Sequence, residues 1–267
     1  MPGPQTFQFP SVILISAVAG VMNAIAGGGT LLTFPALVGL GISPIVANAT
    51  STVALWPGAV SSMWGYRDEL VGSRRWAIGF AAPSLLGGGI GAWLLLRTSP
   101  SRFAELVPWL VLGATALFVL QPLMMRGIQR HAAAPHEASG DDPTAVGRFP
   151  SIGVMVWQLL VGVYGGYFGA GVGILMLAVL GFMGLTNIHR MNGLKNWGGL
   201  CMNLVAAVTF AASALVNWPV ALAMAVGALT GGYVGSRVAQ RVGQRAVRSA
   251  IVVIGLGSGV WLLVARM

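Results

Sequence analysis

Charge is what this 267-residue chain has least of: Asp, Glu, Lys and Arg together make up 8% of it. A soluble domain carries roughly 25%, so the surface here does not mostly face water. The shortage is concentrated. Residues 1–66, 149–189 and 196–236 contain no formally charged side chain at all. About 20 apolar residues cross about 30 Å of hydrocarbon, and each of these stretches holds room for two such spans. Acids number six, Asp68, Glu69, Glu105, Glu137, Asp141 and Asp142, and lysine occurs once, as Lys195. The lone cysteine, Cys201, excludes a disulfide framework or cysteine metal site within the chain, and it is expected to pack as a small apolar residue. No basic residue precedes Arg67, so no cleavable leader is expected.

What is present is apolar: 56% of residues are hydrophobic, and mean hydropathy is +0.80. The net charge of +9 comes from arginines in short clusters between apolar runs. Such clusters set membrane orientation, and nucleic acid is not expected as a partner. Apolar runs bounded by Gly, Pro or charge predict long helices near 9–26, 45–65, 76–96, 103–125, 150–168, 191–215, 217–236 and 248–265. Two further runs, 30–42 and 174–186, are too short for an ordinary span, and each follows a glycine cluster. The one water-loving stretch, 126–148, is expected to be a flexible linker, with His131 and His136 solvated rather than metal-bound. The expected division is a first repeat over 1–125, that linker, and a second repeat over 149–267.

The word repeat rests on one ungapped offset of 144. It carries Ala26-Gly27-Gly28-Gly29 onto Ala170-Gly171-Val172-Gly173, Asn48 onto Asn192, Gly87-Gly88 onto Gly231-Gly232, Gly91 onto Gly235 and Gly113 onto Gly257. If each short segment crosses as a separate pass, each repeat makes five crossings and the second is inverted. With the N-terminus outside, one face then collects Arg67, Arg74, Arg75, Arg126, Arg130, Arg148, Arg190, Arg237, Arg241, Arg245 and Arg248. The other receives Arg97, Arg102 and Arg266. The excess of basic residues expected on the cytoplasmic side favours this inverted arrangement. The expected fold class is therefore all-α: a polytopic integral membrane protein of two tandem, inverted repeats. Each has four long helices plus a short half-helix or re-entrant segment.

Transporters built on inverted repeats hold substrate at discontinuous helices, whose signature is a short, glycine-interrupted apolar segment. Gly27-Gly28-Gly29 and Gly169, Gly171, Gly173 have that form. A break exposes N–H groups at the start of the next half-helix, which suits an anion. The competing reading is close helix packing through small residues, and it is the expected one for Gly87-Gly88-Gly89, Gly91, Gly231, Gly232 and Gly235. Asn48, Ser51 and Thr52 share one helical face, and the offset gives them Asn192, Lys195 and Asn196 as mates. A lysine in an apolar helix is costly and marks a pathway, partner or ligand. Since no acid lies near Lys195 in sequence, a bound anion would supply its counter-charge; snorkelling to the interface is the alternative. Glu105, the one acid near a span, is accounted for at a helix start beside Arg102, so a relay through intramembrane carboxylates is not expected.

The stretch Gly20-Val21-Met22-Asn23-Ala24-Ile25-Ala26-Gly27-Gly28-Gly29-Thr30, with Phe34-Pro35-Ala36-Leu37 and Ala47-Asn48-Ala49-Thr50-Ser51-Thr52, resembles the TauE/SafE family of membrane permeases. The resemblance extends over nearly the whole chain. It implies export or uptake of sulfite or of an organosulfonate such as sulfoacetate. It points to Asn23, Gly27, Gly28, Gly29 and Asn48 through Thr52 in the first half, and to Gly169, Gly171, Gly173 and Asn192 through Asn196 in the second. The second copy departs from the first: Val172 stands for Gly28, Tyr167 for Asn23 and Val179 for Pro35.

The expected function is transport of a small anion by alternating access, with Asn23, Gly27, Gly28, Gly29, Asn48, Ser51, Thr52, Gly171, Gly173, Asn192, Lys195 and Asn196 binding substrate. An anion channel is the nearest rival. No catalytic residue, metal or cofactor is expected. The expected setting is an inner or plasma membrane crossed several times. Partners are the small anionic substrate and membrane lipids, and a homo-oligomer is compatible with the sequence.

Overall fold

The computed structural model describes residues 9–132, 149–182, 185, 187–239 and 244–264. They form ten α-helices and one short 3-10 turn, with no strand among the described residues. In chain order the helices are α1 (Phe9–Ile25), α2 (Thr30–Gly39), α3 (Pro44–Gly65), α4 (Arg74–Arg97), α5 (Pro100–Ala132), α6 (Ile152–Tyr167), α7 (Val172–Phe182), α8 (Ile188–Ala211), α9 (Trp218–Ala239) and α10 (Gln244–Val264). The eight long helices and the two short ones fall where the apolar runs placed them. α5 continues past residue 125 to Ala132, into the stretch expected as linker; the remainder of that stretch, with His136, Glu137, Asp141, Asp142 and Arg148, lies outside the described residues. So do Arg241 and Arg266.

By length and composition three helical segments can cross a membrane: Arg74–Arg97, Pro100–Leu123 and Trp218–Val238. α1, α2, α6 and α7 are apolar but shorter. α3 and α8 are 22 and 24 residues long and carry the polar residues singled out above. The outward surface is what lipid requires and water would not tolerate: Leu14, Ile152, Leu222 and Val253 are each more than 60% exposed. Arg67, Arg97 and Arg237 lie over the rings of Trp64, Trp93 and Tyr233, at 5.0, 4.3 and 5.6 Å from the centroids. Such pairs are suited to the ends of spans, where a ring can sit in lipid and a cation in water.

In hydrocarbon there is little hydrophobic force between helices, so close backbone approach through small residues takes over. Six of the glycines assigned to packing do this, and Gly20 joins them; Gly89 instead meets the Val205 side chain. A Cβ on Gly87 would stand 2.5 Å from the Leu159 carbonyl oxygen, and one on Gly20 would stand 2.7 Å from that of Ala228. Gly91 and Gly231 meet the backbones of Val163 and Ala17 as closely. These contacts join α4 to α6 and α1 to α9.

At the centre α3 packs on α8. The two run in opposite directions. Leu70, just past the end of α3, touches Gly193 in the first turns of α8, while Thr50 near the start of α3 accepts the N–H of Asn217 beyond α8's end. Several other contacts come in matched sets: α1 with α9 and α6 with α4, α3 with α9 and α8 with α4, α2 with α10 and α7 with α5. The starts of α3, α4 and α5 are separated from those of α8, α9 and α10 by the same offset of 144 seen in the sequence.

Candidate functional site

Two interruptions of the helical path meet in the middle of the molecule. The first separates α1 from α2. There the Gly27 N–H is shared between the carbonyls of Met22 and Asn23, at 3.0 and 3.2 Å, and Gly27 turns left-handed with φ +80°. A residue with a Cβ resists that geometry, which is how many helices are ended by glycine. The second interruption separates α6 from α7 and uses Gly169 and Gly171, with φ of +79° and +73°. Gly171 is the offset mate of Gly27. The breaks touch: a Cβ on Gly27 would lie 2.7 Å from the Gly173 Cα.

Each break is clamped by a different side chain. Asn23 Oδ1 accepts the Gly29 N–H at 2.8 Å, satisfying an amide that the new helix leaves free. In the second break the Tyr164 hydroxyl donates to the Ala170 carbonyl at 2.6 Å. The residue standing for Asn23 there, Tyr167, instead brings its hydroxyl to within 3.3 Å of Thr98 Oγ1.

The central helices then close the ends of the broken ones, each reaching into the opposite half of the chain. Lys195 Nζ donates to the Ala24 carbonyl at 3.2 Å and to that of Asn23 at 3.5 Å, and Asn196 Nδ2 donates to Ala24 at 3.4 Å. The last carbonyls of α1 carry the negative end of its dipole, so a cation is favoured there. From the other side Asn48 Nδ2 donates to the Tyr167 carbonyl at 3.0 Å, at the end of α6. Lys195 is 3% exposed. It therefore does not snorkel; it is held in the interior by helix-end carbonyls.

Between the breaks and the central helices lies a cavity with about 670 Å³ of empty space, part of it open to the outside. Six of the twelve expected site residues line it: Asn23, Gly27, Thr52, Gly173, Lys195 and Asn196. Gly169, grouped with them by its cluster, lines it too.

The other six do not line it, for identifiable reasons. Gly28 faces Phe118 and Ile251, and Gly29 is pressed on the Ala19 carbonyl. Ser51 is fully buried, with its hydroxyl 2.5 Å from that of Thr33. Asn48 is fully buried and turned to Tyr167. Gly171 lies against Ala114, and Asn192 is buried with an oxygen that has no partner among the described residues.

Thr30, Trp56, Ser62 and Asn203 also line the cavity, and the sequence reading did not single them out. Three of them extend stripes it had begun. On α3, Thr52, Leu55, Trp56, Ala59 and Ser62 follow one another at helical spacing along the wall, and on α8 Asn196, Gly199 and Asn203 do the same. Offset mates occur within these stripes, 52 with 196, 55 with 199 and 59 with 203. The stripe continued past Thr52 and Asn196 would have supplied both Trp56 and Asn203.

The polar wall consists of donors, amides and hydroxyls with one ammonium, and no carboxylate lines the cavity among the described residues. The helix starts at Thr30 and at Val172–Gly173 open on the same space, adding backbone N–H groups and positive dipole ends. Leu55, Phe168 and Met176 make the rest of the wall apolar. Such a lining is suited to a small anion.

The family described as Sulfite exporter TauE/SafE matches residues 12–262. A "Probable membrane transporter protein" of Haemophilus influenzae is 28% identical over 222 residues, which cover 80% of this chain and 78% of the relative. "Probable membrane transporter protein YfcA" of Escherichia coli strain K12 is 26% identical over 224 residues, 81% and 75% of the two chains. "Probable membrane transporter protein ORF9" of a Sinorhizobium species is 25% identical over 227 residues, 83% and 79%.

Proposed function

Because the chain belongs to the sulfite exporter TauE/SafE family of membrane transporters, we propose that the central cavity carries a small oxyanion, sulfite or an organosulfonate such as sulfoacetate, across the cell membrane. The observation that carries this reading is the lining itself. One buried lysine and several neutral donors meet at two helix breaks, with no carboxylate among the described lining residues. An oxyanion has several acceptor oxygens and needs that kind of surround. In this reading Lys195 balances charge, Asn23 and Asn196 with the helix starts beside Gly27 and Gly173 donate to the oxygens, and Thr52, whose hydroxyl donates to the Asn48 carbonyl, flanks them. Asn48, Ser51, Gly28, Gly29, Gly171 and Asn192 hold the breaks in place around it.

Two inverted repeats account for the arrangement. The matched helix contacts, the opposed directions of α3 and α8, and the helix starts 144 residues apart all support a twofold relation in the membrane plane. Rocking of one set of helices against the other about the two breaks would then expose the cavity to each side in turn. The chain would cross the membrane repeatedly, with the arginine-rich ends in the cytoplasm.

Uptake of labelled sulfite, sulfoacetate and sulfate into proteoliposomes tests the proposal. Saturable flux of one of the first two, competed by the other and lost in Lys195→Ala, is the expected result. Flux that rises linearly with concentration would replace the carrier by a channel. No flux of any of the three would remove the substrate assignment.

A further inference from the structure

Among the described residues Lys195 alone is a charged side chain buried in the protein, and it is the one charged residue lining the cavity. The elements packed on α8 carry their charges elsewhere. On α4 and the 3-10 turn before it (Arg67–Leu70), Arg67, Asp68, Arg74, Arg75 and Arg97 are exposed, and Glu69 is half-buried beside Gly193. His189 and Arg190 stand in the first turn of α8 itself and are partly exposed. None of these lines the cavity.

Partial charges do not alter the count. Each break sets the end of one helix beside the start of the next, α1 before α2 and α6 before α7. A helix end carries about half a negative charge and a helix start about half a positive one, so each break is close to neutral. The amides and hydroxyls of the wall add no net charge. What remains is the single positive charge of Lys195, fixed at the first break by the carbonyls of Ala24 and Asn23.

We infer that the cavity selects its cargo by charge and accepts one net negative charge: a sulfur oxyanion with a single ionised group, such as hydrogensulfite or a simple alkanesulfonate. This rests on the anion-transport reading above and narrows it. A monoanion and the Lys195 ammonium neutralise each other. A dianion leaves a second negative charge in a cavity walled in part by Leu55, Phe168 and Met176, where an uncompensated charge is costly. Neutral donors ease that cost by hydrogen bonding but supply no opposite charge. Sulfate is therefore a poor cargo. Sulfoacetate with both groups ionised enters only with a proton or another cation that brings it to one net charge.

Competition by sulfate and by methyl sulfate against uptake of labelled methanesulfonate into proteoliposomes of the full-length protein tests the inference. Methyl sulfate is the larger ion and carries one charge fewer, so size and charge predict opposite orders. The expected result is inhibition by methyl sulfate, with sulfate at least about tenfold weaker. Asn203→Lys sets a second cation on the wall and should narrow that gap; if this variant does not fold, the wild-type order decides. Sulfate equal to or better than methyl sulfate overturns the inference and leaves the transport reading intact. So does an unchanged gap in an Asn203→Lys protein that still carries methanesulfonate, and so does uptake of sulfite without uptake of methanesulfonate. If no sulfur oxyanion is carried at all, the inference and the transport reading fall together.

Discussion

Lys195 Nζ stands 3.2 Å from the carbonyl oxygen of Ala24, so the only lysine of the chain closes the end of a helix 171 residues before it. A cation at the end of a helix is stabilised by the carbonyls exposed there, and this accounts for a buried ammonium with no acidic partner among the described residues. It also leaves the lysine on the cavity wall, where an anion can share it.

The two roles separate in Lys195→Met, which keeps the long stem beside Gly173 and removes the charge. We expect at least about a tenfold loss of anion flux. The loss of stability should be confined to the helix-end term, about 0.3–2 kcal/mol. Initial rates in proteoliposomes and thermal unfolding of the same preparation check both. Undiminished flux would reduce Lys195 to a structural cap.

Asn23 offers a sharper separation, because its side chain both caps and lines. Asn23→Ala removes the acceptor for the Gly29 N–H and should cost about 1 kcal/mol. Asn23→Asp keeps an acceptor in place but sets a negative charge on the cavity wall. Stability near wild type with flux strongly reduced is the expected pattern for Asp. Equal flux in Asp and wild type would mean that the anion does not pass this wall.

The helices and their breaks were legible in the sequence because both are local matters: hydrophobic length fixes a span, and glycine clusters fix an interruption. The composition of the cavity wall was legible only in part. Asn48, Ser51 and Thr52 share a helical face at the resolution of sequence, yet 100° per residue is enough to divide it. Asn48 is turned to Tyr167 and Ser51 to Thr33, leaving Thr52 on the cavity. Which part of a polar face meets space and which meets another helix depends on neighbours 18 residues away in one case and 119 in the other.

The breaks themselves give a prediction about glycine. Gly27→Ala combines a left-handed backbone, φ +80°, with a methyl group 2.7 Å from the Gly173 Cα. We expect a loss of more than about 2 kcal/mol, from conformational strain and overpacking together. Gly113→Ala is the control, since nothing lies within 4 Å of its added Cβ; it should change stability by less than about 0.5 kcal/mol. Chemical denaturation in a fixed detergent compares the two. Equal tolerance of both changes would mean that the breaks do not pack as closely as the contact between Gly27 and Gly173 requires.

Whether the halves are inverted is decided by the side on which equivalent loops emerge. Val71 follows α3 and is 73% exposed; Ala214 follows α8 and is also exposed. In parallel repeats both would face the same compartment, whereas in inverted repeats they face opposite ones. With Cys201 replaced by Ala to remove the one native thiol, single cysteines at Val71→Cys and Ala214→Cys can be probed with a membrane-impermeant maleimide on intact cells. Arg67, Arg74 and Arg75 surround the first position and no charged residue lies near the second, so the basic-inside preference places Val71 in the cytoplasm and Ala214 outside. Labelling of Ala214→Cys alone from outside, with Val71→Cys reacting only after permeabilisation, is the expected result. Labelling of both from the same side would break the twofold relation on which alternating access between the halves depends.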